Sequence, residues 1–139
     1  MEGMFYNCKV LSSLDISEFI TSNVINISFM FYSTKFNQLD LSHFNTCNVQ
    51  NMISIFAGCN DLRILNVSNW DFSKVTHIIS IFHDVPNLNS IIMKNANIYN
   101  ISNVSNIFSN FKSFILKYSP SHLSSCSLMS ILYISMMSW

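Results

Sequence analysis

Apolar and polar positions alternate around Leu14 and Ile16 in "SSLDISEF", and the alternation returns in "NQLDLSHF" and "RILNVSNW". Laid in register, the apolar series runs Leu11, Leu14, Ile16, Phe19, then Phe36, Leu39, Leu41, Phe44, then Leu62, Leu65, Val67, Trp70, and then Leu88, Ile91, Met93, Ala96. Successive strand side chains point to opposite faces, so Leu14 and Ile16 share one face while Ser13, Asp15 and Ser17 share the other. The pattern predicts strands at about residues 13–17, 38–42, 64–68 and 90–94. In the fifth window the corresponding positions hold Phe114, Lys117, Ser119 and His122, so the pattern is lost and the array is read as ending near residue 116.

The other half of each repeat has a different period. Val24, Ile27, Met30 and Phe31 are spaced i, i+3, i+6, i+7, as are Val49, Met52, Ile55 and Phe56, then Val75, Ile78, Ile81 and Phe82, then Ile101, Val104, Ile107 and Phe108. That spacing fits one stripe of a helix, with Thr21, Ser22, Thr46 and Ser73 placed to cap its start. One repeat is thus expected to be a strand, a turn and about two helical turns. Such a unit cannot bury its own stripe, whereas stacked copies can. The expectation is an α/β solenoid over residues 1–116, of about four coils and truncated at the start, followed by a non-repeat, hydrophobic, Ser-rich tail at 117–139. Its parallel strands would line the concave face and its short helices the opposite face. Leu14, Leu39, Leu65 and Ile91 would form one buried ladder, and Phe19, Phe44 and Trp70 an aromatic ladder beside it.

Composition sharpens this picture. Only 10% of residues are charged, and seven Lys and Arg balance seven Asp and Glu, which leaves no electrostatic footprint for nucleic acid. The chain holds 18 Asn and 24 Ser but only two Gly and two Pro, so its turns must be built by Asn, Ser and Asp. No basic region followed by an apolar run of signal-peptide length is visible at the start. The tail from Leu123 to Trp139 is 17 uncharged residues with six Ser, short of the roughly 20 apolar residues of a spanning helix. Any membrane association therefore falls to that tail alone.

Chemistry-bearing motifs are sparse. Gly3 and Gly58 are the only glycines, which excludes a glycine-rich phosphate loop and a dinucleotide fingerprint. Cys8, Cys47, Cys59 and Cys126 contain no C-x-x-C pair, so no zinc site is expected. Cys8 and Cys59 hold one repeat position two coils apart, roughly 10 Å, too far for a disulfide. His43, His77, His83 and His122 fall at different repeat positions. A thiol enzyme built on a Cys–His nucleophile pair, for example Cys47 with His77, is the enzymatic alternative, and nothing in the sequence supplies an obvious orienting group or oxyanion site. The four Asn-x-Ser sequons, at Asn26, Asn66, Asn100 and Asn103, are about as many as this composition gives by chance. The reading is a protein without catalytic activity, metal or cofactor.

The outward strand face carries more information. It is acidic at the first two coils, neutral at the third, and apolar and basic at the fourth. Asp15, Ser17, Glu18, Asp40, Ser42, His43, Asn66 and Asn69 are the candidate contacts for a protein ligand. Asp15 and Asp40 are expected on adjacent strands about 5 Å apart. Like charges there are unfavourable unless solvent, donors such as Ser17 and Ser42, or a basic partner offset them. Uncapped ends predict self-association.

The stretches "MFYNCKVLSSLDISEFITSNVINI", "LDLSHFNTCNVQNM" and "IFAGCNDLRILNVSNWDFSKV" resemble the unit of BspA-like leucine-rich-repeat surface proteins and the related mycoplasma-type repeat, over residues 4 to about 114. The fourth repeat departs from it, with Val85 at the Cys position and "IIMK" for "LDLS". The resemblance implies a leucine-rich-repeat-like solenoid at the cell surface or secreted, acting in adhesion and protein binding. The rival reading is a structural spacer within a longer array.

Overall fold

The computed structural model describes residues 1–97 and a strand at Ile115–Ser119. Four short strands form one open sheet: β1 (Gln38–Asp40), β2 (Ile64–Asn66), β3 (Ser90–Lys94) and β4 (Ile115–Ser119), all parallel and in the order β1-β2-β3-β4. Leu39 pairs with Leu65 and Leu65 with Ile91. Those steps are both of 26 residues, and β3 coincides with the stretch expected at 90–94. The next step is 25, placing Leu116 opposite Ile91 and Tyr118 opposite Met93. A comparison at the 26-residue step meets Lys117 and Ser119 instead, because a one-residue slip exchanges the two faces of a strand. The sheet accordingly runs across residue 116, where the repeat pattern is lost in sequence.

The strand expected at residues 13–17 does not form. Leu65 and Ile91 are sealed at 0% and 1% exposure, whereas Leu14 is 38% exposed. A parallel strand is stable when covered on both faces. Among the described residues, the segment around Leu14 has a neighbouring coil on one side only.

The wall opposite the sheet corrects a larger expectation. Among the described residues there is no α-helix, so the α/β leucine-rich-repeat-like solenoid with helices facing its strands is not what this chain builds; the fold is all-β. The apolar stripes are buried as expected: Ile27, Met30, Phe31, Met52, Ile55 and Phe56 are all at most 1% exposed. What differs is where the backbone hydrogen bonds go. The N–H groups of Ile27, Phe29, Phe31 and Ser33 donate to Asn51, Ile53, Ile55 and Ala57 in the next coil. Between them, the N–H groups of Met30, Tyr32 and Thr34 donate three residues back, to Ile27, Phe29 and Phe31. Met52, Ser54, Phe56 and Gly58 repeat the outward set toward His77, Ile79, Ile81 and His83.

Such a wall is a run of tight turns laced to its neighbours, and a spacing of i, i+3, i+6, i+7 suits it as well as it suits a helix. Left-handed residues prevent a helix from running through. Phe29, Ser54 and Ser80 have φ of 56°, 51° and 53°, and Asn7, Ser33, Gly58 and Asp84 have 59°, 54°, 72° and 54°. Each left-handed non-glycine residue costs about 1–2 kcal/mol, least for Asn and Asp, and the coil-to-coil bonds offset it. Gly58 is additionally required by space, since a Cβ there would lie 2.7 Å from Ser33 Oγ. The fourth stripe, Ile101 to Phe108, lies outside the described residues.

Among the described residues, side-chain ladders give many of the Asn and Thr a structural role. Asn26, Asn45, Asn51, Asn66 and Asp71 each accept, through Oδ1, the backbone N–H two residues on. Thr21 and Thr46 do not cap helices. Thr46 Oγ1 donates to the Asp71 carbonyl at 3.1 Å and accepts the Asp71 N–H at 2.7 Å, and Thr21 bridges to Asn45 in the same way. Between the walls the rings of Phe5, Phe31, Phe56 and Phe82 stack coil upon coil, with centroids 5.5, 5.9 and 5.7 Å apart. Phe19 stacks on Phe44 at 6.5 Å, while Trp70 turns onto Phe56 at 6.4 Å. Burying one such side chain contributes about 1.5–3 kcal/mol, so these columns carry much of the stability.

Candidate functional site

Where the first coil fails to form a strand, the outer face opens. Residues Ser12 to Ser17 on one side, and Phe36, Gln38, Leu39, Asp40, Ser42 and His43 on the other, line a cleft of about 540 Å³. Its two ends are tied. Lys35 N–H donates to the Leu11 carbonyl at 3.0 Å, and His43 Nε2 lies 2.9 Å from the Ile16 carbonyl. Between these ties β1 presents an unpaired edge. The Leu41 N–H donates to Asn66, and the Asn37 carbonyl accepts Arg63 and Ile64, so the odd-numbered residues of this stretch turn toward β2. Gln38 and Asp40 therefore turn toward the first coil, and no backbone hydrogen bond joins them to it among the described residues.

Local turn chemistry fixes the carboxylates. Asp15 Oδ1 accepts the Ser17 N–H at 3.0 Å, and Asp40 Oδ1 accepts the Ser42 N–H at 2.9 Å. Asp40 Oδ2 also accepts Asn66 Nδ2 at 3.1 Å. The Ser17 N–H, then its hydroxyl, hold Asp15 below the usual value of 3.8. Burial pushes Asp40 up, but the Ser42 hydroxyl and N–H, the Asn66 amide and the nearby His43 outweigh it, and its pKa also lies below 3.8. A lowered carboxylate contributes stability above its unfolded-state value and loses it as pH falls through the folded one. Stability is therefore expected to hold from neutral pH down to about 4 and then decline, with the decline reduced in Asp15→Asn and Asp40→Asn; acid titration of the unfolding transition measures it.

Five of the eight residues singled out from sequence meet at this cleft: Asp15, Ser17, Asp40, Ser42 and His43. The other three do not line it. Asn66 braces Asp40 and holds Ser68. Asn69 donates to the Ser42 carbonyl at 3.3 Å and accepts from Asn95. Glu18 is exposed beside the rim. Sequence reasoning missed that Phe36 and Leu39 reach the cleft and that His43 ties its lower end. The sequence carries only part of that signal: Phe44 stands in the place of Trp70 without a side-chain N–H, and His43 beside it supplies one to Ile16 as Trp70 Nε1 does to Leu41, at 2.9 Å in both cases.

The thiols are placed differently. Cys59 is buried, its thiol donating to the Phe31 carbonyl at 2.9 Å and touching Thr34 Oγ1 at 3.4 Å, and burial raises its pKa. Cys8, Cys47 and Cys59 are free thiols. Cys47 and His77 share no hydrogen bond; His77 Nδ1 meets Thr76 Oγ1 at 2.9 Å instead. Among the described residues no group of three His, Cys, Asp or Glu could hold a metal ion, and no helix is long and apolar enough to cross a membrane.

Fold and cleft together define a class: an all-β stack of 25–26-residue coils with an open parallel sheet. The model of one family, described as Mycoplasma protein of unknown function, DUF285, matches residues 1–129, and the chain belongs to that family. No curated protein and no solved structure matches it. The assignment to BspA-like leucine-rich-repeat surface proteins is thereby corrected: the matching family has a different description, and the helices of a leucine-rich-repeat solenoid are missing among the described residues.

Proposed function

We propose that this protein is a recognition module that takes up an extended, basic segment of a protein partner along the edge of β1. The observation that carries this reading is the unpaired edge at Gln38 and Asp40, opening into a cleft bordered by two carboxylates whose pKa values are lowered. Main-chain bonds to a sheet edge supply affinity without sequence preference, and neighbouring side chains supply selectivity. Here Asp15 and Asp40, with Glu18 at the rim, select Lys or Arg. The contact needs no reaction and no cofactor.

The test is binding of extended peptides of fixed length with Lys, neutral or Glu residues at alternate positions. Lys-bearing peptides are expected to bind best and to weaken as salt is raised, because contacts between exposed charges are screened. Asp15→Asn combined with Asp40→Asn is expected to lower their affinity by about three- to tenfold, the size of two exposed ion pairs. Asn keeps the Oδ1 that accepts Ser17 or Ser42, so folding should persist. Equal affinity of the double variant and the parent would remove the carboxylates from the site.

A further inference from the structure

The residues that directly follow the core phenylalanines form a second, outer column: Tyr6, Tyr32, Ala57 and His83. Tyr6 and Tyr32 stack with centroids 4.9 Å apart and planes 18° from parallel. At the third coil the column loses its ring, because Ala57 ends in a methyl group, 2% exposed, and Gly58 follows it. Beside that position, at Gly58, lies a cleft of about 370 Å³, lined by Tyr32, Ser33, Gly58, Asn60, Asp84 and Pro86. Tyr6 covers one face of Tyr32, Phe29 meets it edge-on with centroids 6.2 Å apart, and Tyr32 lines the cleft.

The dimensions set what can enter. Coils repeat at about 4.8 Å, so walls two coils apart stand roughly 10 Å from each other. Stacked rings sit about 5 Å apart, which leaves a slot one ring thick above Gly58. Gly58 forms the floor by necessity: its φ of 72° and the approach of Ser33 Oγ both exclude a side chain. The chemistry of the lining separates into an apolar wall, Tyr32, and a polar rim. Asn60 offers an amide, Ser33 a hydroxyl, and Asp84 a carboxylate, 60% exposed and 3.3 Å from His83 Nε2.

We propose that this slot binds a neutral pyranose ring. A pyranose has flat C–H faces that suit the electron-rich face of Tyr32 and hydroxyls around its edge that suit the amide, hydroxyl and carboxylate of the rim. A planar heteroaromatic ring would match Tyr32 but present few edge groups to that rim. A uronic acid would set its carboxylate against Asp84. A shallow pocket with a few polar groups implies a dissociation constant in the millimolar range, about 1 mM. The slot lies on the turn wall, away from Asp15 and Asp40, and does not depend on the reading given for that cleft.

The experiment is ligand-observed NMR titration of the full chain with the methyl glycosides of glucose, galactose and mannose, with methyl glucuronide, and with indole and adenosine. At least one neutral glycoside is expected to bind saturably, and more tightly than methyl glucuronide. Tyr32→Leu should weaken it by about tenfold, the size of one ring contact. Ala57→Tyr, which adds a ring at a buried position next to the Gly58 floor, should abolish binding where circular dichroism shows that the chain still folds. Asn60→Ala, a rim change far from the core rings, should weaken it severalfold and serves if either ring variant fails to fold. Asp15→Asn with Asp40→Asn should bind the sugar as the parent does. No saturable binding of any neutral glycoside would overturn the proposal. So would undiminished binding by Asn60→Ala and Ala57→Tyr, or tighter binding of methyl glucuronide, indole or adenosine.

Discussion

Replacing Trp70 by Ala is expected to cost about 3–5 kcal/mol, the range for truncating a buried aromatic side chain. Trp70 is 2% exposed, packs against Phe56 at 6.4 Å and Phe72 at 6.0 Å, and donates its indole N–H to the Leu41 carbonyl at 2.9 Å. The residue thus links the second coil to the third through a hydrogen bond as well as through area. Trp70→Phe separates the two. It keeps most of the packing but removes one of the two donors to the Leu41 carbonyl, which still accepts the Phe44 N–H at 3.0 Å, a change worth about 0.5–1.5 kcal/mol. Urea denaturation of both variants measures the difference. If Trp70→Phe proves as stable as the parent, the indole bond contributes nothing and the residue acts through packing alone.

Leu65→Ala is expected to cost about 2–5 kcal/mol, whereas Leu14→Ala should cost distinctly less. Both hold the same repeat position, so propensity and local sequence predict equal effects. Their surroundings do not. Leu65 lies between Leu39 and Ile91 at 0% exposure, and Leu14 stands at the cleft at 38%. A truncated Leu65 leaves a cavity walled by two neighbouring coils, which relax little because each is bonded to the next. Truncation of Leu14 widens a space already open to water. Equal losses in the two variants would show that the first coil closes onto β1 in solution.

The comparison of Leu14 with Leu65 also shows where sequence patterns carried structure and where they did not. The alternation L-x-x-L-x-L placed β1, β2 and β3, because each inward position must be apolar in every coil and the repeat multiplies that signal. The same argument misplaced the first strand, since a repeat motif is silent on how many neighbours a given coil has. The turn wall failed for another reason. Burial periodicity reports which residues face inward and not which carbonyl each N–H meets. Ile27, Met30 and Phe31 are inward in a helix and inward in a row of turns. Helix propensity was the neglected clue, since Asn, Ser, Ile, Val and Phe dominate these stretches and none is a strong helix former. Of the candidate site, the polar face was legible at Asp15, Asp40 and His43, because the two Asp repeat one another at one position and His43 replaces the Glu18 and Asn69 of its repeat partners. The cleft between them was not, because it arises from a strand that the motif predicts and the structure lacks.

The lacing of both walls has a mechanical consequence. The bonds that join one coil to the next lie along the stack, in the sheet and in the turn wall alike. Tension applied between the two ends along that direction therefore loads the bonds of a single coil boundary at a time, as when a zip is opened, and does not share the load over the whole sheet. Force–extension traces are expected to show a series of low, evenly spaced drops, each releasing one coil of about 26 residues, or roughly 90 Å of chain. Within such a series the boundary between the second and third coils should hold longest, because there the Trp70 indole adds a cross-link to the backbone bonds.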